Sequence, residues 1–285
     1  MNCAQKFFLT LIKVLRNKEE VSVYRTDFDN SASTYDCVVT RKLLAHYTED
    51  IISKLNLEQG MTCIDLGCGT GDAISHIVRF IQPTGLVIGY DLSAPMLTIA
   101  HEKLKTLSCI RLMKKDMIEG IREHGDNTID IITSTWALGY SSPIGALHEI
   151  QRVLKKGGHV GILVNTHQSL YELQKLVRGI LLRHPFSLKY IPPVNFPPSK
   201  EKFKRMIAMV GLSIILLEED LCSQTFLNGS EFIAWMKTSG PCAGFRSALK
   251  EDKRDFIYKK IQDKVDKKGG ITLTFRFIRF IGTKR

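Results

Sequence analysis

The stretch MTCIDLGCGTGDAISHIV, Met61 to Val78, decides the fold. A short apolar run ends near Asp65, three glycines follow within five positions, and apolar residues then recur at helical spacing. That order predicts a buried strand (TCIDL), a glycine turn, and a helix (DAISHIVRFI). Ligands of open parallel sheets bind at such turns, beyond the carboxyl ends of the strands. The turn reads Gly67, Gly69, Gly71, a G-x-G-x-G pattern. It is not the dinucleotide G-x-G-x-x-G, because Asp72 occupies the place of the third glycine. An acid there would repel a pyrophosphate at the helix N-terminus. No Gly-Lys-Ser/Thr follows, which excludes the P-loop. The ligand expected is a nucleoside without phosphates.

Downstream the alternation continues. GLVIGYDLS reads as a second strand, and PMLTIAHEKLKTL as a helix started by Ser93 and Pro95. CIRLMKKD is a third strand, TIDIITST a fourth, GALHEIQRVL a helix, KKGG a turn and HVGILVN a fifth strand. Strands alternating with helices over short links predict right-handed crossovers and a doubly wound, mostly parallel sheet. Past strand five come a helical stretch (Gln168 to His184), a proline-punctuated loop (HPFSLKYIPPVNFPPSK), a helix (KEKFKRMIAMVG) and a strand (LSIILLEED). A further helical segment and a long closing strand, GITLTFRFIRFIGTKR, complete the chain. The last strand is free to run antiparallel, and the excursions near 168–205 and 222–268 read as helical caps over one sheet edge, where a substrate pocket would be built.

Upstream, RKLLAHYTEDIISKL carries Leu43, Leu44, Tyr47, Ile51, Ile52 and Leu55 at helical spacing. TDFDNSASTYD, Thr26 to Asp36, reads as a polar link. Phe7, Phe8, Leu11, Ile12 and Leu15 mark one face of an N-terminal helix, which packs on its own domain or, as the minority reading, touches a membrane surface. The division expected is an N-terminal helix and lid over 1–40 and one domain over 41–285.

Bulk composition constrains less. The 285 residues are 44% hydrophobic and 24% charged, as in ordinary globular chains, but the net charge is +11. That excess suits an acidic partner such as an acidic substrate, a carrier protein, an anionic membrane surface or nucleic acid; a solvated basic surface is an equal reading. The basic residues are spread from Lys6 to Arg285 instead of clustering with aromatics, which disfavours nucleic acid. The seven cysteines are odd in number and scattered, and form no C-x-x-C pair. They argue against a disulfide framework and against zinc, so no metal is expected, and they fit a reducing, cytoplasmic setting. No apolar run approaches the roughly 18 residues of a membrane span, and no small-residue cleavage site marks a signal peptide.

Three acids stand at strand ends. Asp65 ends the first, Asp91 the second and Asp116 the third. In a doubly wound sheet these ends line one crevice. Asp91, about twenty residues past the last turn glycine, is placed to accept both hydroxyls of a ribose.

CIDLGCGTG, VIGYDLS, KKDM and RVLKKGGHVGIL together resemble the class I S-adenosylmethionine-dependent methyltransferases, over about Tyr35 to Val164. The resemblance implies S-adenosylmethionine as cofactor, S-adenosylhomocysteine as product, and a Rossmann-like sheet of seven strands with the last antiparallel. It implies that Gly67, Cys68, Gly69 and Gly71 shape the turn against the methionine and ribose. Asp65 would help hold the methionine amine through the turn, Asp91 would bind the ribose, and Asp116 the adenine amine. Met117 would flank the adenine, and Leu92, Met96 and Thr135 complete the expected cofactor set. Thr135 and Trp136 lie just past strand four, near where the methyl leaves. Acids and aromatic faces both suit a sulfonium cation. Trp136 also reads as a plain hydrophobic wall.

The acceptor is less legible. Strand four ends STWALG, without the Asn-Pro-Pro-Tyr motif of enzymes that methylate amide or exocyclic nitrogens. The segment FIAWMKTSGPCAGF, with AWMKTSG as its core, resembles the cap of trans-aconitate and malonyl-carrier-protein methyltransferases, which esterify carboxylates. A carboxylate is ionised at neutral pH and needs no general base. Carboxyl O-methylation is therefore the first expectation, with Arg178, Arg183, Arg246, Arg276 or Arg279 receiving the acid. Strand alternation lets only one of Arg276 and Arg279 face a pocket. The alternatives are C- or N-methylation of a lipid, quinone or natural product, with His167 as general base, or a nucleic-acid-binding or noncatalytic module. Tyr35 is placed on a lid that would exclude water on closing.

Overall fold

The structure is a computed structural model that describes residues 22–36, 39–191 and 194–285. The expected helix bearing Phe7 to Leu15, and the cysteines Cys3 and Cys37, lie outside the described residues. In chain order the elements are α1 (Ser22–Tyr35), α2 (Val39–Ser53), β1 (Thr62–Leu66), α3 (Asp72–Ile81), β2 (Leu86–Asp91), α4 (Ala94–Leu104) and β3 (Ile110–Lys114). They continue with α5 (Met117–Arg122), β4 (Ile129–Thr135), α6 (Pro143–Val153), β5 (Leu154–Asn165), α7 (Tyr171–Leu181) and α8 (Lys200–Val210). Last come β6 (Leu212–Phe226), α9 (Gly229–Thr238), α10 (Phe245–Ala248), α11 (Glu251–Asp266) and β7 (Ile271–Lys284).

Seven strands form one sheet in the order β3-β2-β1-β4-β5-β7-β6. The pairs β1–β2, β1–β4, β2–β3 and β4–β5 are parallel, and β7 runs antiparallel to β5 with Leu163 opposite Arg279. The doubly wound, mostly parallel α/β sheet with its antiparallel last strand is as expected. Strand order reverses between β1 and β4, which creates the crevice that Asp65 and the glycine turn face.

Central strands read as near-continuous apolar runs because helices cover both faces. Helix α3 buries Ala73, Ile74, Ile77, Val78 and Ile81, and α6 buries Ala146, Leu147, Ile150 and Val153. Ile64, Leu66, Ile132, Val160 and Ile162 form the core with Phe203 and Phe280. Each such side chain contributes roughly 1.5–3 kcal/mol on leaving water.

The chain divides into two compact units: Met1–Thr40, Leu170–Pro193 and Cys222–Phe275 make one, and Arg41–Ser169, Val194–Leu221 and Arg276–Arg285 the other. The second contains β1 to β5, the glycine turn and the three acids. In the first, Phe226, Phe232 and Trp235 cluster with ring centroids 5.1 to 5.7 Å apart.

The sequence reading of Thr26 to Asp36 as a polar link is corrected: all of it but Asp36 lies in α1. Its buried face is Tyr24, Asp27, Ser31 and Ala32, at helical spacing but carried by small and polar residues. The Asp27 carboxylate compensates its own burial by accepting from the Gly244 N–H at 2.7 Å, the Ser247 N–H at 3.4 Å and the Ser247 hydroxyl. Asp27→Ala should strand those donors and cost about 1–3 kcal/mol, whereas Asp27→Asn keeps acceptor capacity and should cost less. Calorimetric melting measures both; equal melting temperatures would contradict the buried network.

Two smaller corrections concern the sheet. KKGG does not precede strand five but lies within β5, at a register shift opposite Ile129 to Ile131, with Gly157 at φ 78°. The third strand stops at Lys114, and a short helix, α5, follows that the sequence pattern did not show.

Candidate active site

All three turn glycines have positive φ, at 75° for Gly67, 51° for Gly69 and 81° for Gly71. Only glycine enters this region without a Cβ penalty. The turn is tied down from below: the Gly67 and Cys68 N–H groups both donate to the Tyr90 carbonyl, at 2.8 and 2.9 Å. A Cβ on Gly67 would overlap that of Ala137, and one on Gly71 would come within 2.8 Å of Leu104. Gly69 differs, since a Cβ there meets nothing within 4 Å and would project into open space.

Asp91, at the end of β2, joins the turn to the next helix. One carboxylate oxygen accepts from the Gly69 N–H at 2.8 Å and the other from the Ser93 N–H at 2.8 Å. Asp65 is 1% exposed, beneath the turn, and accepts from the Thr133 hydroxyl at 2.7 Å. Thr133 lies on β4, so this bond crosses from β1 to its neighbour. Asp116 caps α5, its Oδ1 accepting from the Ile118 N–H at 2.8 Å and the Glu119 N–H at 3.3 Å. Met117, half-buried, would approach a Cβ on Gly67 to 3.5 Å. Leu92 is also half-buried, but Met96 is 2% exposed and belongs to the core.

The Cys68 side chain points away from the open side of the turn, its Sγ lying 2.9 Å from where a Cβ on Gly89 would sit. Burial first, and then the nearby carboxylates of Asp91 and Asp65, push its thiol well above the usual range. It stays protonated at neutral pH and supplies shape, not a nucleophile.

Thr135 ends β4 and is half-buried, and Trp136, just beyond it, adopts a left-handed backbone with φ 66°. The Trp136 N–H donates to the Leu163 carbonyl at 2.8 Å, and the ring N–H to the Thr48 hydroxyl at 3.1 Å.

Residues 16–178 match the model of the ubiE/COQ5 methyltransferase family, more than half of the chain. The chain belongs to this family. It is a class I S-adenosylmethionine-dependent methyltransferase acting on a small molecule. It is 28% identical over 193 residues to the demethylmenaquinone methyltransferase of Staphylococcus carnosus, covering 66% of this chain and 78% of that one. Among solved structures, the YcgJ protein of Bacillus subtilis aligns with a TM-score of 0.58 at 18% identity, over 84% of this chain and 99% of that one. A geranyl diphosphate C-methyltransferase of Streptomyces coelicolor aligns at 0.53 and 16% identity, over 86% and 77% of the two chains. At these identities the structural likenesses establish the fold.

The methyltransferase turn fits its cofactor on its own geometry. Three glycines leave a cradle with open space above Gly69, and a carboxylate stands at the end of β2 beside it. Nothing in this arrangement calls for a phosphate.

The remaining expected residues are dispersed. His167 is exposed in the loop after β5, its backbone N–H donating to the Pro197 carbonyl at 3.0 Å. Tyr35 ends α1 in the other compact unit, 6.3 Å from the Phe28 ring and against Gly240. Arg276 pairs with Glu219 at 3.2 Å. Arg279 is held by Asp50, Glu218 and Asp220 at 2.6, 2.7 and 2.5 Å. Burial lowers the affinity of Arg279 for its proton, but the three acids outweigh it and raise its pKa. Both arginines are thus paired with acids of the chain itself. Arg178, Arg183 and Arg246 remain exposed.

Sequence reasoning missed the segment that organises the loop after β4. Asn195 donates from its side chain to the Ser141 carbonyl at 2.9 Å and from its backbone to Gly139 at 2.9 Å. The Phe196 ring fills the space beside Gly139 and stacks edge-on to Tyr140 at 5.6 Å. Prolines around 192–198 were the available signal: they mark a loop of fixed path, although not its partner.

Proposed function

We propose that this methyltransferase transfers the methyl group of S-adenosylmethionine to a ring carbon of a small, apolar, quinol-type acceptor. The supporting observation is the family match over residues 16–178, together with relatives named demethylmenaquinone methyltransferases. The ion pairs of Arg276 and Arg279 agree with it, because both β7 arginines already face acids of the chain itself.

In this reading Asp91 takes the ribose hydroxyls on the outer side of its carboxylate, while its inner hydrogen bonds fix the turn. Gly67, Cys68, Gly69 and Gly71 allow close approach of the methionine and ribose. Asp65 acts from below through Thr133 and the turn, with Met96 as part of the support under α4. Asp116 takes the adenine amine with the carboxylate oxygen that does not cap α5, and Leu92 and Met117 flank the base. Thr135 and Trp136 border the transferred methyl. Tyr35 belongs to the first unit, at the end of α1.

A ring carbon becomes a strong nucleophile only when its phenolic hydroxyl loses a proton. His167, in the loop after β5, is the base for that step. His167→Ala should lower kcat by roughly 10²- to 10⁴-fold, the usual contribution of a general base, with cofactor affinity retained. A carboxylate acceptor would not show this loss, since it arrives ionised.

The deciding assay supplies radiolabelled S-adenosylmethionine with a demethylated naphthoquinol and, in parallel, with a panel of carboxylic acids. Base-stable label in the quinol fraction supports ring methylation. Base-labile methanol release from an acid would overturn it in favour of the carboxyl esterification that the AWMKTSG segment suggests.

A further inference from the structure

We propose that Thr48 and Phe277 are positioning residues for methyl transfer: together they fix the Trp136 indole as an aromatic wall for the acceptor at the carboxyl edge of β4. The proposal rests on reading that edge as the place where the methyl is transferred.

Trp136 has φ 66°, a conformation in which a bulky side chain is a clear outlier. Such backbone persists only where its surroundings over-determine it. The turn itself does not require tryptophan. Its hydrogen bond, from the backbone N–H to the Leu163 carbonyl, is open to any residue but proline, and glycine would adopt the same angles without strain. What is particular to tryptophan is the ring, and the ring is held at two points. Its N–H donates to Thr48 Oγ1 at 3.1 Å, and it packs edge-to-face with Phe277 at 4.9 Å and 69°.

Both holding groups are themselves immobilised. Thr48 and Phe277 are each fully buried. Phe277 is packed from its other side by Tyr47, at 4.7 Å and 74°. The Arg279 guanidinium lies 6.0 Å from the Tyr47 ring and is bound by Asp50, two residues past Thr48 on α2. Helix α2 and strand β7 thus grip the indole between them. Trp136 is only half-buried, and the next residue, Ala137, fills the space that a Cβ on Gly67 would need. The half-buried tryptophan therefore stands one residue from the contact with the glycine turn. A flat, rigid aromatic face there can hold a planar acceptor in line with the methyl, where small displacements are costly in rate.

The test is a double-mutant cycle. Thr48→Val keeps the side-chain shape and removes the acceptor of the indole bond. It should lower kcat about tenfold, the worth of one net hydrogen bond, and leave the calorimetric affinity for S-adenosylmethionine within about twofold. Thr48→Ser should restore the rate. In Trp136→Phe, which has no ring N–H, Thr48→Val should have no further effect. Undiminished loss in that background, or no loss in Trp136 itself, would overturn the proposal.

A second readout does not depend on the acceptor. The chain has two tryptophans, so in Trp235→Phe the long-wavelength tryptophan bands of the near-ultraviolet circular dichroism, beyond those of tyrosine and phenylalanine, report Trp136 alone. Thr48→Val should weaken that signal and Thr48→Ser should preserve it; an unchanged signal in Thr48→Val would also overturn the clamp. If no quinol is methylated by the unaltered protein, the proposed substrate fails, while this signal still decides the role of Thr48.

Discussion

Asp91→Ala should weaken S-adenosylmethionine binding by about 100-fold or more, the largest single effect on affinity expected for the site. The carboxylate does two jobs. Its oxygens accept from the Gly69 and Ser93 N–H groups, both at 2.8 Å, so it holds the turn to the start of α4. Hydrogen bonds to a charged group contribute about 1.5–3 kcal/mol each. Truncation leaves two backbone donors without their acceptor and lets the turn relax, and it also removes the proposed partner of the ribose hydroxyls. Losing about 2.7 kcal/mol from these together already gives 100-fold. Asp91→Asn separates the jobs, since the amide oxygen keeps one acceptor and the charge is gone; its loss should be intermediate. Titration calorimetry with S-adenosylhomocysteine measures all three proteins. Unchanged affinity in Asp91→Ala would remove the ribose assignment, and with it the reading of this turn as the cofactor seat.

The place of Asp91 at the end of β2 was legible because it follows from local order in the chain. A strand, an acid and a helix cap within a few residues can be read from types and spacing, and the parallel sheet then brings three such ends to one edge. Asp116 was equally visible, but its capping of α5 was not. That helix has six residues, too few for a periodic apolar pattern to register.

Helix α1 was missed for a different reason. Its buried positions are Asp27, Ser31 and Ala32 alongside Tyr24, and hydrophobic periodicity cannot detect a polar face. The donors to Asp27 come from Gly244 and Ser247, more than two hundred residues later. The arginines show the same limit. Alternation along β7 correctly separates Arg276 from Arg279, but their partners Glu218, Glu219 and Asp220 come from β6, and pairing register between distant strands is not written in either one alone. Trp136 is the extreme case: tryptophan carries no preference for a left-handed backbone, so neither its strain nor its bond to Thr48 could be anticipated.

Gly67→Ala and Gly69→Ala should fail in opposite ways, although the two glycines are separated only by Cys68 and both have positive φ. At Gly67 the left-handed backbone costs an L-residue roughly 1–2 kcal/mol. The new methyl also collides with the Cβ of Ala137, and overpacking of this kind adds about 1–3 kcal/mol. Together these take about 2–5 kcal/mol from a total stability of order 5–15 kcal/mol, and the melting temperature should fall by roughly 5–15 °C at about 2–4 °C per kcal/mol. At Gly69 the backbone strain of about 1–2 kcal/mol is the whole structural cost, since the methyl meets no protein atom within 4 Å. Melting should therefore change by only a few degrees. The methyl nevertheless projects into the space above the turn, which is where a ligand held by Asp91 would lie, so the affinity for S-adenosylmethionine should drop by about tenfold or more. A Gly69→Ala protein that melts normally and binds normally would place the cofactor elsewhere. One that melts normally and does not bind separates the scaffold of the turn from its function, and assigns the open side of the turn to the ligand.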